Sequence, residues 1–464
     1  MKYLPRLIDT YLESWVKSPS HKPILLRGAR QVGKSWAVRH LGERFDYFIE
    51  INFEKNPEYK SIFSPNLDVE RILSQLSVIS GKPVVDGKTL LFLDEIQDCR
   101  EAIMALRFFK ENRPNLHVIA AGSLLEFTLA EIPTFGVGRV HSMFMYPMTF
   151  DEFLMGNGQD ALMKVRDEAS TVQPLPEIFH HKLIELFRTY MIIGGMPEAV
   201  AKWVHTRDFI QCQEVLNDLL TGYEDDFAKY RKKVAPELLR NTFRSVTMQL
   251  TEKFTYSEVP GGYKTYEVKR ALELLAMAGL ITCVYHTDAN GLPLGSETDS
   301  RYCKILPIDP GLTLRSLSLF SGVGRTMEQH ILTMTATDLV NKGPITELIA
   351  GLELLRYQSP NIRHELFYWT RRERNSVAEV DYVTDFFGGV LPIEIKAGVQ
   401  GGMKSLWMLM RLKKLGLAVR SSLENFGVFQ RLDSEDEDAV RDVLICPLYA
   451  LSQLPRLLAS LQDP

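Results

Sequence analysis

Eight consecutive residues constrain this chain more than any others. Gly28-Ala29-Arg30-Gln31-Val32-Gly33-Lys34-Ser35 follow a short apolar run at 24–26 and open an amphipathic stretch, KSWAVRHL. The spacing GxxxxGK[ST] between a strand and a helix is the pattern of a phosphate-binding loop. Its glycines let successive backbone N–H groups curl around a phosphate at a helix N-terminus. Lys34 is expected to reach the terminal phosphate oxygens, and the Ser35 hydroxyl to ligate Mg²⁺. All eight residues, 28 through 35, are therefore expected to line a nucleotide's phosphates.

Two later segments support the loop. TLLFLDE, residues 89–95, reads as a buried strand ending in Asp94 and Glu95, where a magnesium-associated aspartate and a water-activating glutamate belong in such a fold. LHVIAAGS, residues 116–123, reads as a third strand. If it lies between the first two, the Ser123 hydroxyl sits beside the γ-phosphate; otherwise Ser123 caps the next helix. Arg139 follows Gly138 after a loop, as a finger toward a neighbouring nucleotide or as a solvated charge. Strands alternating with helices predict a parallel, three-layer α/β sheet.

Composition narrows the class. At 464 residues the chain is long enough for two to four domains, and 45% hydrophobic with 24% charged residues is a globular balance. No apolar run approaches the length needed to span a bilayer. The N-terminus lacks a basic start, an apolar block and a cleavage site, so a cytoplasmic location is expected. Five scattered cysteines, Cys99, Cys212, Cys283, Cys303 and Cys446, form no CxxC pair, which argues against a disulfide framework or a zinc site. The net charge of -4 leaves any DNA contact to local patches.

On RGARQVGKS (27–35), LFLDEIQ (91–97), AAGSLLEF (120–127), Gly138-Arg139, YPMTFDEFL (146–154), YMIIGGMPEAV (190–200), AEVDYV (378–383), PIEIKAG (392–398) and ICPLYAL (445–451), the chain resembles the bacterial and archaeal AAA-type ATPases. In that family the P-loop domain is followed by an uncharacterised C-terminal domain that looks like a PD-(D/E)xK nuclease fold, and most members have no assigned biological role. The resemblance covers nearly the whole chain. One departure stands out: relatives tend to carry a strand ending in aspartate-x-glycine where this chain reads ILPIDPGL. Asp309 and Gly311 are kept, but Pro307 interrupts the strand.

In the middle of the chain, Gly194-Gly195 before Pro197 suggests a tight turn into a helix. The basic run 229–233 is a solvated helix end or a phosphate contact. Residues 236–295 read as helices followed by a hairpin, the layout of a winged helix-turn-helix. Such a domain would set Lys264, Lys269 and Arg270 near DNA phosphates, or serve as a protein-protein spacer.

Toward the C-terminus the predicted order is helix, strand, strand, strand, helix. Glu394 and Lys396 lie two residues apart on one strand and so share a face. Asp381, Glu394 and Glu347 are expected to ligate one or two Mg²⁺ ions, with Mn²⁺ as an alternative, while Lys396 orients or activates water. Glu379 shares the face of Asp381. The acidic run 433–438 reads as a solvated loop. The expected divisions are an AAA-type ATP-binding domain (1–160), a helical lid or linker (161–235), a winged helix-turn-helix (236–322) and a PD-(D/E)xK nuclease-like α/β domain (323–464). The function so read is ATP hydrolysis coupled to a nuclease-like, DNA-handling domain. The alternative is a regulatory ATPase switch whose C-terminal domain binds protein or nucleic acid without cleavage. Catalytic candidates are Glu95, Asp381, Glu394 and Lys396, and self-association is expected if Arg139 acts in trans.

Overall fold

The structure, a computed structural model, describes residues 3–132, 138–230, 233–320, 343–371, 378–398, 402–433 and 439–461. Most of the acidic run and part of the basic run, together with the 322/323 division, lie outside the described residues. The chain folds into two compact units. The first comprises residues 1–148, 277–280 and 358–363; the second comprises 149–276, 281–357 and 364–464.

The first unit is built on five parallel strands: β1 (Ile24–Arg27), β2 (Tyr47–Asn52), β3 (Thr89–Asp94), β4 (His117–Ala121) and β5 (His141–Phe144). Their order in the sheet is β2-β3-β4-β1-β5. Strands covered on both faces need apolar side chains on both, which explains why every residue of β3 and of β4 is buried. The helices Val69–Ser80 and Arg100–Asn112 cover the sheet through Ile72, Leu76, Ala102, Leu106 and Phe109, which pack with Leu25, Ile51, Leu93 and Ala120. The first of these helices starts where Asp68 accepts hydrogen bonds from the backbone N–H groups of Glu70 and Arg71. Because β4 lies between β1 and β3, the condition for Ser123 to reach the phosphate end of the sheet is met.

The second unit holds a mixed eight-stranded sheet ordered β12-β13-β11-β10-β9-β8-β6-β7. Its strands are β6 (Ile281–Thr287), β7 (Thr298–Pro307), β8 (Leu366–Thr370), β9 (Glu379–Phe386), β10 (Gly389–Ile395), β11 (Leu417–Ser422), β12 (Gly427–Asp433) and β13 (Ala439–Pro447). The helix Lys404–Leu412 lays Leu406, Leu409 and Met410 on Val380, Val383, Ala418 and Val443. The order expected of a winged helix is present, with helices Pro236–Met248 and Thr265–Met277 followed by the hairpin β6–β7. That hairpin, however, is continuous with the larger sheet, because β6 pairs in parallel with β8. The basic residues of the second helix are partnered: Arg270 pairs with Glu273, and the Lys269 ammonium lies over the Tyr256 ring.

Pro307 does not break β7. It is the last residue of an edge strand, where a missing N–H costs no ladder bond. Beyond it, Asp309 is buried and accepts a hydrogen bond from the Gly195 backbone N–H at 2.6 Å. Gly194 has φ +76°, and a Cβ there would lie 2.1 Å from the Asp309 carboxylate, so Gly194-Gly195 and Asp309 form one close junction in which position 194 tolerates no side chain. Among the described residues no helix is long and apolar enough to cross a membrane.

Candidate functional site

At the C-terminal end of β1 the backbone turns sharply. Gly28 has φ +144°, and a Cβ there would meet the Met145 carbonyl oxygen at 2.1 Å. Gln31 and Gly33 also take positive φ, 67° and 97°. The loop 28–33 then feeds the helix Lys34–Gly42 with Gly33 as its cap. Ala29 and Val32 are buried in this turn, which leaves Arg30 and Gln31 at its crest. Lys34, buried, donates to the carbonyls of Gly28 (2.9 Å) and Ala29 (2.7 Å). Burial pushes its ammonium down to about 8, against the pull of Glu95 and Asp94.

The ends of β3 and β4 meet this loop. The Ser35 hydroxyl donates to Asp94, with 3.0 and 3.1 Å to its two oxygens. Asn52, at the end of β2, donates to Asp94 at 3.1 Å. Burial, and then the neighbouring Glu95, raise the Asp94 pKa, while the Ser35 hydrogen bond lowers it. Glu95 itself sits at φ 50°, a left-handed backbone that points it away from the strand's pleat. Its Oε2 accepts from Gln97 Nε2 (2.8 Å) and from the Ser123 hydroxyl (3.4 Å). Of the two readings of Ser123, the structure therefore brings it to Glu95 rather than to a helix cap; the next helix, Leu125–Ala130, starts from Leu124. Arg139 is not part of this group: it is half exposed and pairs with Glu111 at 3.3 Å.

Asn52 and Gln97 were not legible as site residues. Their only signals were adjacency to a strand end and the DEIQ string; their roles depend on strand order.

The second set of candidates lies in the second unit. Register pairs Ile393 of β10 with Tyr382 of β9, so the next residues along, Glu394 and Asp381, face each other across the two strands. Asp381 accepts from the Ile395 N–H at 2.7 Å, and the Lys396 ammonium pairs with Glu394 at 2.5 Å. The expected shared face of Asp381, Glu394 and Lys396 is thus present. Glu347, on the helix Gly343–Arg356, is engaged elsewhere. A buried lysine of β7, Lys304, pairs with Glu347 at 2.9 Å and with Glu379 at 2.5 Å, and its ammonium lies 5.0 Å from the Tyr368 ring centre.

The expected metal set Glu347, Asp381 and Glu394 is divided between two lysines, Lys304 pairing with Glu347 and Lys396 with Glu394. Among the described residues no three acidic, histidine or cysteine side chains are arranged to hold a metal ion. Lys304 supplies positive charge inside the protein beside Glu347 and Glu379. Burial, then the Lys304 ammonium and Asp381, set Glu347, whose pKa rises on balance. Burial and then Asp381 raise Glu394 as well. Burial disfavours the Lys304 charge, but Glu347, Glu379 and Asp381 more than restore it. The fit to a divalent cation is therefore poor at Glu347 and better at Asp381 and Glu394, where the buried Glu394 Oε2 has no hydrogen-bond partner among the described residues.

Comparison with known proteins matches three stretches of the chain. Residues 20–154 match the family described as an AAA domain. Residues 184–322 and 342–440 match two families described as domains of unknown function, DUF8612 and DUF4143. No curated protein matches the chain. Among solved structures it is similar to the Walker-type ATPase PABY2304 of Pyrococcus abyssi, with a TM-score of 0.44 and 17% identity, over 68% of this chain and 96% of that one. The first unit thus carries an AAA-type P-loop ATPase domain, and ATP is the ligand its loop is built for.

Proposed function

We propose that the chain is an ATP-hydrolysing switch whose nucleotide state governs what its second unit binds. The observation that carries this reading is the convergence of Lys34, Ser35, Asp94, Glu95 and Ser123 at neighbouring strand ends. The loop's backbone N–H groups receive the phosphates. Lys34 exchanges the neutral carbonyls of Gly28 and Ala29 for phosphate oxygens, which are stronger acceptors. Ser35 and Asp94 would hold Mg²⁺, which when bound neutralises phosphate charge. Glu95 orients the attacking water and draws its proton, and Gln97 and Ser123 fix the carboxylate that does so. Lys34→Ala is expected to lose nucleotide binding, whereas Glu95→Gln binds ATP and stalls. Equal turnover in wild type and Glu95→Gln would exclude the mechanism.

For the second unit, binding of protein or nucleic acid without cleavage fits the engagement of Glu347 by Lys304. A second reading, a PD-(D/E)xK nuclease-like domain that cuts DNA, draws on Asp381, Glu394 and Lys396 on one face, and on the succession of helix, β8, β9, β10, helix and β11. Incubating the protein with DNA and RNA forms and Mg²⁺ or Mn²⁺, with and without ATP, separates them. Product that disappears in Asp381→Ala while ATPase activity stays intact supports cutting; no product in any arm supports the switch.

A further inference from the structure

We propose that Lys304 is a resident counter-ion that withholds Glu347 from any divalent metal. The Lys304 side chain is 1% exposed, and its ammonium has three hydrogens to place. Two carboxylates lie within ion-pair distance, Glu347 and Glu379, and the Tyr368 ring faces it from a third side. A buried ammonium is tolerated only when its partners are this complete, so moving it aside would strand a charge in the interior. A divalent ion bound by Glu347 would have to share that carboxylate with Lys304, two cations at one short distance with little solvent between them.

The elements around the cluster are fixed as well. The Tyr382 hydroxyl donates to the Glu347 backbone carbonyl at 2.8 Å, which ties the helix Gly343–Arg356 to β9. On that helix, Gly351 is placed so that a Cβ would lie 2.3 Å from the same Tyr382 hydroxyl. Both contacts hold the glutamate's helix against β9. The acidic cluster is accordingly divided: Glu347 and Glu379 pair with Lys304 directly, whereas Asp381 feels that ammonium from beyond ion-pair distance and Glu394 keeps an oxygen without a hydrogen-bond partner among the described residues, so these two are the better placed to meet a metal. This holds whether or not the second unit cuts. The test below reads metal rather than cleavage, so the two can fail separately.

The experiment titrates Mn²⁺ into nucleotide-free full-length protein carrying Asp94→Asn, which silences the first unit, and follows free Mn²⁺ by paramagnetic resonance. In this background Glu347→Gln is expected to leave Mn²⁺ affinity within about twofold. Lys304→Met should raise it by at least about tenfold, and adding Glu347→Gln to Lys304→Met should remove the gain. Should Lys304→Met fail to fold, melting temperatures decide: Glu347→Gln should lower the melting temperature equally with and without Mn²⁺. The proposal is overturned if Glu347→Gln alone weakens Mn²⁺ binding about tenfold, if folded Lys304→Met binds Mn²⁺ no better than its parent, or if Mn²⁺ stabilises the parent and not Glu347→Gln.

Discussion

The Ser35 hydroxyl, in the first turn of the helix Lys34–Gly42, donates to the Asp94 carboxylate at the end of β3, and Asn52 donates to the same carboxylate from β2. The aspartate is thereby held by two neutral donors on either side. Partners that orient a ligand without touching the metal typically matter 10- to 100-fold for metal affinity. Asn52→Ala should therefore weaken Mg²⁺ dependence of ATP turnover by roughly that factor while ATP binding without Mg²⁺ is little changed. Titrating Mg²⁺ at saturating ATP measures it.

Gly28→Ala tests the loop by shape alone. The added Cβ would lie 2.1 Å from the Met145 carbonyl oxygen, and the positive φ of 144° is itself unfavourable for alanine. Backbone on both sides leaves nothing flexible to yield. The variant should lose nucleotide binding and unfold at lower temperature, by about 2 kcal/mol or more of stability. Gly87→Ala, where a Cβ meets nothing within 4 Å but φ is also positive, is the control for strain without collision.

Arg139 pairs with Glu111 and is half exposed, apart from Lys34, Ser35, Asp94, Glu95 and Ser123. If it acts on a neighbour's nucleotide, a non-hydrolysable ATP analogue should promote self-association, and Arg139→Ala should lower turnover at least about tenfold while single-chain ATP binding persists. Sedimentation with and without the analogue checks the first; an unchanged monomer would remove the role.

His117 gives the first unit an acid-sensitive core. It is buried, stacks on His21 at 4.0 Å and meets Trp15 and Phe45 edge-on. Burial, and then His21, push its pKa down to about 4. The unfolded chain binds that proton near 6.5, so this contribution to stability is complete above that value and is lost as pH drops toward 4, by about 1–2 kcal/mol after solvent screening. His117→Phe should flatten this part of the profile. The difference between variant and wild-type unfolding free energies at pH 4.5 and 7 isolates it from the carboxylates, which titrate in both.

How much of the fold and of the site is legible in the sequence depends on how locally each feature is encoded. The phosphate loop is eight contiguous residues whose glycines announce their own backbone, and β3 and β4 are apolar runs that a doubly covered sheet requires. Ser123 could be placed only conditionally, because its role turns on β4 lying between β1 and β3, a fact of topology. Glu394 and Lys396 share a face by strand periodicity, and so were legible. Lys304 was not, for it is drawn to Glu347 and Glu379 only because the β6–β7 hairpin joins the sheet of β8 to β13, and nothing local in YCKILP says so. The cation beside Glu347 thus comes from a segment that the sequence places in another domain, 236–322, so the carboxylates are read without it.

The division of the first unit among three stretches of chain carries a consequence for synthesis. Its sheet is written by residue 148, yet the unit also contains residues 277–280 and 358–363, and the backbone N–H of Phe144 on β5 donates to the carbonyl of Pro360 at 2.8 Å. A ribosome that has finished β5 has still to make the residues from 149 to 357 before that bond can form. At about 5–20 residues per second this is a delay of roughly 10–40 s. The nascent ATPase sheet therefore waits with its last strand unfinished on one side, and a truncated gene ending after β5 would leave that edge open permanently to pairing with other chains.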